Sequence, residues 1–157
     1  MGPAVMKNII LVVADESDTR IFLSNLLSSV GFQPVSATNM PEGLQAAKTS
    51  PPALIILDVM MAGKEGIRMY HHLKNDDTLN NIPVIMLSAI DRETFFLYEK
   101  FQSTRGGSGV PEPDAYLEKP PEAEDLLYLV HRLIKNDMVN SDFQDKKKIF
   151  VREPGDH

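Results

Sequence analysis

The chain has 157 residues, of which 43% are hydrophobic and 24% charged, and these values are typical of one globular domain with a full core. The absence of cysteine excludes disulfides, a thiol nucleophile and a zinc site with Cys ligands. A net charge of −6 argues against a general nucleic-acid binder, and no apolar run is long enough to span a bilayer. Residues 1–5 lack the pattern of a signal peptide, so we expect a cytoplasmic location.

Five segments of the sequence are predicted to be β-strands. Four are apolar runs without alternation, which is typical of strands buried on both faces of a parallel sheet. These four runs are Ile9–Val13, 53–57, 82–87 and 115–117. The fifth segment, Gln33–Ala37, is expected nearer an edge because Pro34 has no backbone donor.

Helical periodicity separates the strands. The predicted helices cover residues 18–30, 41–48, 64–75, 91–102 and 122–135. Asn39 and Asp91 are suited to be N-caps, and Pro41 lies near a first turn. The alternation predicts an α/β fold with a doubly wound five-stranded parallel sheet, right-handed crossovers and helices on both faces. Residues 103–113 are predicted to be a long Gly/Ser/Pro loop, and residues 137–157 have the composition of a flexible polar tail.

Four of the predicted strands end in polar residues. Asp15, Asp58, Ser88 and Lys119 follow the first, third, fourth and fifth strands. Because ligands of doubly wound sheets bind beyond the carboxyl ends of the strands, we expect these side chains to converge in one crevice. Two carboxylates repel each other unless a cation lies between them, and Mg²⁺ with several retained waters suits such oxygen ligands. With a lysine and a hydroxyl, the set has the components of a phosphoryl-transfer site.

With these features the chain resembles the receiver domain of bacterial two-component response regulators, of the single-domain type related to chemotaxis regulators. The resemblance covers about residues 7–136 and rests on "LVVADES", "LIILDVMMAGKEG", "NIPVIMLSA" and "AYLEKP". The spacings from Asp58 to Gly66 and to Ser88 also match the family. Each motif is weak alone, but together and in this order they are highly specific. The resemblance implies the flavodoxin-like strand order 2-1-3-4-5 and one receiver domain over residues 7–136.

The resemblance assigns the chemistry to Asp58. This residue would be the phosphoacceptor for a sensor histidine kinase or a phosphotransfer protein, and Mg²⁺ would be held by Asp15, Asp58 and the backbone carbonyl of Met60. The protein would then be a phospho-switch and not an enzyme. It would signal by contact with a downstream protein target, without direct binding to nucleic acid or membrane.

The resemblance also implies a switch beside Asp58. Lys119 would pair with Asp58 and then with its phosphoryl group, which Ser88 and Ala89 would also contact. Ser88 and Tyr116 match the switch pair of the family, in which the hydroxyl moves toward the phosphate and the aromatic ring follows inward. The alternative interpretation is that Tyr116 is a core aromatic residue, since tyrosine packs well in strands.

A homodimer surface is a further implication. The output face of the family corresponds here to helix 91–102, strand 114–118 and helix 122–135. Helix 91–102 carries four aromatic residues, and a single stripe cannot bury them all because neighbouring side chains point about 100° apart. They either fill the core and pack against the long loop, or they form a surface for a partner.

Four features depart from the family pattern. Ala14 replaces the first of two adjacent acids, so we expect weaker Mg²⁺ binding, which Glu16 could compensate. Ala62 stands where a proline is usual, and Pro121 where an aromatic residue is common. The stretch from Ser88 to Lys119 is longer than usual.

A further expectation concerns the two positions that flank the phosphate and often place the attacking water. Both are apolar here, Met60 and Ile90, which predicts slow self-dephosphorylation.

Three alternatives stay open. First, the chain could be the receiver part of a longer regulator. Second, it could be one receiver in a relay. Third, it could be a binding module that is no longer phosphorylated, with Ala14 as a first sign of that loss.

An enzyme on a similar fold is disfavoured. A haloacid-dehalogenase-type phosphatase would need Asp in place of Met60, and the acidic "ADESDTR" would repel the phosphate of a flavodoxin cofactor. An acid after a buried strand, such as Asp15, can also be a simple helix cap.

Overall fold

The computed structural model of the protein describes residues 9–101, 109–135 and 149–152. Its strands are β1 (Ile9–Val13), β2 (Gln33–Ala37), β3 (Leu54–Asp58), β4 (Val84–Ser88), β5 (Ala115–Glu118) and β6 (Ile149–Val151). Its helices are α1 (Ser17–Ser29), α2 (Met40–Thr49), α3 (Glu65–Lys74), α4 (Arg92–Glu99) and α5 (Ala123–Lys135). A 3₁₀ turn over Ala62–Lys64 leads into α3.

One sheet contains all these strands, in the order β2-β1-β3-β4-β5-β6. The first five strands are parallel, which confirms the predicted fold class and the strand order 2-1-3-4-5. β1, β3 and β4 are buried along their whole length, since apolar clusters cover both faces of the sheet. β2 is an edge strand, as Pro34 predicted.

The boundaries of the predicted elements shift by a few residues at most. As predicted, β3 ends at Asp58 and β4 ends at Ser88. Helix α4 ends at Glu99 and not at residue 102, because Lys100 adopts the left-handed conformation (φ 53°). Both predicted N-caps are confirmed. Asn39 accepts a hydrogen bond from the backbone N–H of Glu42 at 2.9 Å, and Asp91 accepts one from Thr94 at 3.0 Å.

The sixth strand was not predicted, and it lies within the segment expected to be a polar tail. β6 pairs antiparallel with β5, with Phe150 opposite Tyr116. The backbone N–H of Arg152 extends the pairing by donating to the carbonyl of Asp114 at 2.8 Å. Ile149, Phe150 and Val151 suit a strand, and the open edge of β5 supplies partners for their backbone. The rest of the predicted tail, residues 137–148 and 153–157, lies outside the described residues, as do residues 103–108 of the predicted loop.

The aromatic residues of α4 are divided between the core and the surface. Phe95 and Phe96 are buried, as is Phe101 just beyond the helix, whereas Tyr98 is 67% exposed. The core interpretation therefore accounts for three of the four aromatic residues.

None of the helices in the described part of the chain combines the length and the apolar character needed to cross a membrane.

Candidate functional site

Asp58 ends the buried strand β3, and its side chain is only 2% exposed. Both carboxylate oxygens have partners. Oδ2 lies 2.6 Å from the ammonium group of Lys119, and Oδ1 accepts a hydrogen bond from the backbone N–H of Met60 at 3.0 Å. Burial of a carboxylate is costly unless the group is paired and hydrogen-bonded, as Asp58 is here.

The position of Asp58 depends on a close approach by Gly66 at the start of α3. A Cβ atom at residue 66 would overlap the carbonyl oxygen of Asp58 and the backbone of Val59. Only glycine allows the first turn of α3 to pack directly against the end of β3. The spacing from Asp58 to Gly66 therefore has a steric cause in this chain.

Lys119 reaches Asp58 from the loop that follows β5. Its backbone N–H donates to the carbonyl of Ser88 at 2.8 Å, which ties this loop to the end of β4. The Lys119 side chain is 20% exposed, and its ammonium group also lies 3.8 Å from a carboxylate oxygen of Glu16. The peptide bond between Lys119 and Pro120 is cis. The lysine therefore lies between a buried acid and an exposed one.

Asp15 belongs to the same edge of the sheet. It follows β1, which pairs with β3 in a register that sets Val13 beside Leu57, so Asp15 and Asp58 both extend beyond the same ends of the strands. Its exposed carboxylate accepts a hydrogen bond from the backbone N–H of Ala62 at 3.3 Å. A second carboxylate thus lies at the same edge of the sheet as the Asp58–Lys119 pair.

Buried Ser88 and Tyr116 are both hydrogen-bonded to half-buried Ile90, next to Lys119. The Ser88 hydroxyl accepts a hydrogen bond from the Ile90 N–H at 3.0 Å, and the Tyr116 hydroxyl donates to the Ile90 carbonyl at 2.6 Å. Burial raises the pKa of Tyr116 to about 12, and the nearby Ser88 hydroxyl partly opposes this rise. The ring of Tyr116 is already fully buried in this structure.

Other predicted positions are less closely joined to the site. Ala89 is exposed, and the side chain of Met60 is 51% exposed. Ala14 is 1% exposed, and its carbonyl accepts a hydrogen bond from Arg20 at 2.7 Å. Sequence reasoning missed Phe150 of β6, which packs near Tyr116. The apolar triplet 149–151 between charged residues was the signal that could have found it.

Fold and site together define a class of protein. A doubly wound sheet that presents a lysine-paired aspartate at the end of its third strand, with a second aspartate after its first, has the architecture of a receiver-type signalling module. The sequence matches the family model of the response regulator receiver domain over residues 10–102. The chain therefore belongs to the response regulator receiver domain family of two-component systems.

Individual relatives agree with this membership. Protein PilH of Pseudomonas aeruginosa is 28% identical over 125 residues, which cover 79% of this chain and 96% of PilH. The phosphate regulon transcriptional regulatory protein PhoB of Escherichia coli is 31% identical over 126 residues, 80% of this chain but 51% of PhoB. The chain thus spans about half the length of PhoB. The solved structure of a sensor protein from Polaromonas sp. JS666 superposes with a TM-score of 0.69 at 25% identity, over 82% of this chain and 96% of that one.

Proposed function

We propose that Asp58 is the phosphoacceptor of this receiver, taking a phosphoryl group from a phosphohistidine on a sensor histidine kinase or a phosphotransfer protein. The observation that carries the proposal is the 2.6 Å contact between Lys119 Nζ and Asp58 Oδ2 at the carboxyl edge of the sheet. A buried carboxylate held in place by a lysine is a preoriented nucleophile, and the same lysine can neutralise the charge that arrives with the phosphoryl group.

The donor set of the site suits Mg²⁺. Among residues 9–101, 109–135 and 149–152, no group of three or more His, Asp or Glu side chains is placed to hold a metal ion. Mg²⁺ does not need such a cage, because it is usually bound by one or two carboxylates and keeps several waters. Asp15, Asp58 and the backbone carbonyl of Met60 would supply oxygen ligands of this kind. Bound there, the ion would neutralise charge on the phosphoryl oxygens.

Each residue of the site has its own role in the phosphoryl transfer. An oxygen of Asp58 attacks phosphorus, the new P–O bond forms as the P–N bond breaks, and the imidazole of the donor leaves with the bonding electron pair. Lys119 stays beside Asp58 and interacts with the negative oxygens of the acyl phosphate. The Ser88 hydroxyl, at the end of the neighbouring strand, turns to donate a hydrogen bond to one of them. The charge change is thereby transmitted to Ile90 and Tyr116.

Access to Asp58 requires movement of the groups that cover it. The carboxylate lies at the end of β3, where its two partners are the backbone N–H of Met60 and the ammonium group of Lys119. Met60 is 51% exposed and the Lys119 side chain is 20% exposed, so we expect movement of the Lys119 side chain and of the loop at Met60 to open a path to solvent. The 2% exposure of Asp58 is therefore compatible with attack on a donor that docks at this edge.

Phosphorylation with a small donor tests the proposal. Incubation with acetyl phosphate and Mg²⁺ should add one phosphoryl group to the wild-type chain, detected by intact mass, and none to Asp58→Asn. Asp114→Asn is a matched control, since it removes a carboxylate near the opposite ends of the strands and should still be phosphorylated. A wild-type chain that gains no mass at saturating donor would contradict the proposal and favour a receiver-like binding module.

A further inference from the structure

The outer edge of β5 is occupied by the chain itself. β6 pairs with β5, and its middle residue, Phe150, packs edge-on against Phe96 of α4, with ring centroids 5.1 Å apart. The guanidinium group of Arg92 also lies over this ring, 5.3 Å from its centroid. This edge belongs to the surface that the sequence predicted for a homodimer, and the homodimer itself stays a prediction.

A continuous series of contacts joins β6 to Asp58. Phe150 touches Phe96, whose ring centroid lies 5.6 Å from that of Tyr116. The Tyr116 hydroxyl donates to the Ile90 carbonyl, and the Ile90 N–H donates to the Ser88 hydroxyl. The carbonyl of Ser88 accepts from the backbone N–H of Lys119. Since Lys119 pairs with Asp58, the acceptor site and the docked strand share one packed network.

The hydrogen bonds in this network specify a direction for the coupling. The proton of Tyr116 is directed to the Ile90 carbonyl, and the Ile90 N–H is directed to the Ser88 hydroxyl. A serine hydroxyl has one proton to donate, and turning it toward a phosphoryl group on Asp58 moves the hydroxyl away from the Ile90 N–H. Ile90 then loses one of the two hydrogen bonds that join Ser88 to Tyr116, and the packing of Tyr116 and Phe96 beneath Phe150 is loosened.

The docking of β6 has the features of a contact that can be reversed. The strand has three residues, fewer than the usual five to six or so. Nε of Arg92 is buried, and within the described part of the chain it has no hydrogen-bond partner. Undocking would return this group to water and so recover part of its solvation. At the far end of the strand, the Arg152 guanidinium is held by Asp114 at 3.2 Å, so the strand has an anchor away from Phe150.

We propose that the β5 edge is a docking surface for an extended apolar strand, that residues 149–152 of this chain fill it in the unphosphorylated state, and that phosphorylation of Asp58 weakens their docking. This inference rests on the proposed function. The edge of β5 suits a segment with an aromatic residue between two aliphatic residues, followed by arginine. The aromatic ring packs against Phe96, and the arginine forms an ion pair with Asp114. Release of the segment opens the edge of β5 to an extended segment of another molecule, by the same strand addition.

Amide hydrogen exchange on the full-length chain tests the coupling. Exchange of the amides of residues 149–152 is followed by mass spectrometry before and after treatment with acetyl phosphate and Mg²⁺, and intact mass reports phosphorylation of the same sample. We expect exchange there to accelerate about fivefold or more, the lower range of coupling between linked sites. In Asp58→Asn, the same treatment should leave the exchange unchanged.

The reverse effect supplies a second readout at equilibrium. Because coupling is reciprocal, Phe150→Ala should tighten the binding of beryllofluoride with Mg²⁺, a stable mimic of the acyl phosphate, by about the same factor. Leu97→Ala removes a side chain that is 76% exposed on the same helix as Phe96 and should leave this affinity unchanged. Slower or unchanged exchange at 149–152 in chains that have gained phosphoryl mass overturns the coupling alone. Absence of added mass overturns the proposed function as well.

Discussion

The ammonium group of Lys119 lies 2.6 Å from Oδ2 of Asp58, although the two residues are 61 positions apart in the chain. The pair is asymmetric, because the Asp58 side chain is 2% exposed and that of Lys119 is 20% exposed. Removing the lysine leaves the buried carboxylate without its ion-pair partner and with only the hydrogen bond from Met60. Removing the aspartate leaves a cation that can still reach water and Glu16, 3.8 Å away.

This asymmetry predicts unequal effects on stability. Lys119→Met should lower the free energy of unfolding by about 2–3 kcal/mol, somewhat less than the loss of a partner in a fully buried pair. Asp58→Asn should lower it by about 1 kcal/mol or less, since it removes the buried charge itself. Urea unfolding at neutral pH measures both values. Lys64→Met, the same change at an exposed lysine, should have little effect, and an equal loss from Lys119→Met and Asp58→Asn would contradict the asymmetry.

The contact of Gly66 with the end of β3 predicts a defect in both stability and function. Gly66→Ala should destabilise the protein by about 1–3 kcal/mol, because the added methyl group forces the backbone of Asp58 and Val59 to shift. The displaced carboxylate should also accept phosphoryl groups from acetyl phosphate more slowly.

Gly63→Ala is the matched control for this prediction. Gly63 has a φ of 70° and no atoms near its missing Cβ, so alanine there strains the backbone by about 1 kcal/mol without moving Asp58. Phosphorylation of Gly63→Ala should proceed at the wild-type rate. If both variants are phosphorylated equally slowly, the rate depends on the conformation of the loop and not on the close approach of Gly66 to β3.

Sequence alone predicted the parts of the fold that depend on burial and on local signals. Unbroken apolar runs such as Ile9–Val13 indicated strands covered on both faces, and Asn39 and Asp91 indicated helix starts. The strand order came only from the resemblance, since many orders satisfy the same pattern. β6 escaped because its three apolar residues acquire a structure only when the edge of β5 is beside them.

The candidate site was predictable to a similar extent. The ends of parallel strands meet at one edge, and this rule brought Asp15, Asp58, Ser88 and Lys119 to one region. It did not predict that Asp58 would be almost completely covered, or that Ser88 would be hydrogen-bonded through Ile90 to Tyr116. Such details depend on loop conformations and rotamers, for which the sequence carries no periodic signal.

The apolar side chains at residues 60 and 90, the two positions expected to flank the phosphoryl group, predict a long-lived acyl phosphate. Met60 and Ile90 provide no side-chain group that could orient an attacking water. Met60→Gln should therefore accelerate loss of the phosphoryl group about tenfold, less than the ~10²–10⁴-fold effect of a well-placed general base. The rate is measured by intact mass after removal of the donor, in Mg²⁺ without a phosphatase.

The control for this prediction changes polarity elsewhere. Leu97→Gln alters an exposed apolar side chain on α4 and should leave the lifetime unchanged. A half-life of seconds in the wild-type chain would show that apolar side chains at residues 60 and 90 do not keep the attacking water away.

The raised pKa of Tyr116 predicts a loss of stability at alkaline pH. The folded state holds this proton more tightly than the unfolded chain does, because burial raises the pKa to about 12. The resulting stabilisation is fully present below the ordinary tyrosine pKa of about 10 and is lost as the pH rises from there through about 12. Burial also raises the pKa of Tyr70, so this residue too makes the protein less stable as the pH rises. Burial lowers the pKa of Lys74, so the contribution of this residue to stability increases as the pH rises.

Comparison with Tyr116→Phe isolates this contribution, since Tyr70 and Lys74 are present in both proteins. At about pH 8 the variant should be less stable by about 1 kcal/mol, because the hydrogen bond from the Tyr116 hydroxyl to the Ile90 carbonyl is absent. Above about pH 10 the wild-type protein must ionise Tyr116 on unfolding, so the difference should shrink. Urea unfolding at several pH values measures it, and a difference that stays constant up to about pH 11.5 would mean that Tyr116 titrates alike in the folded and unfolded states.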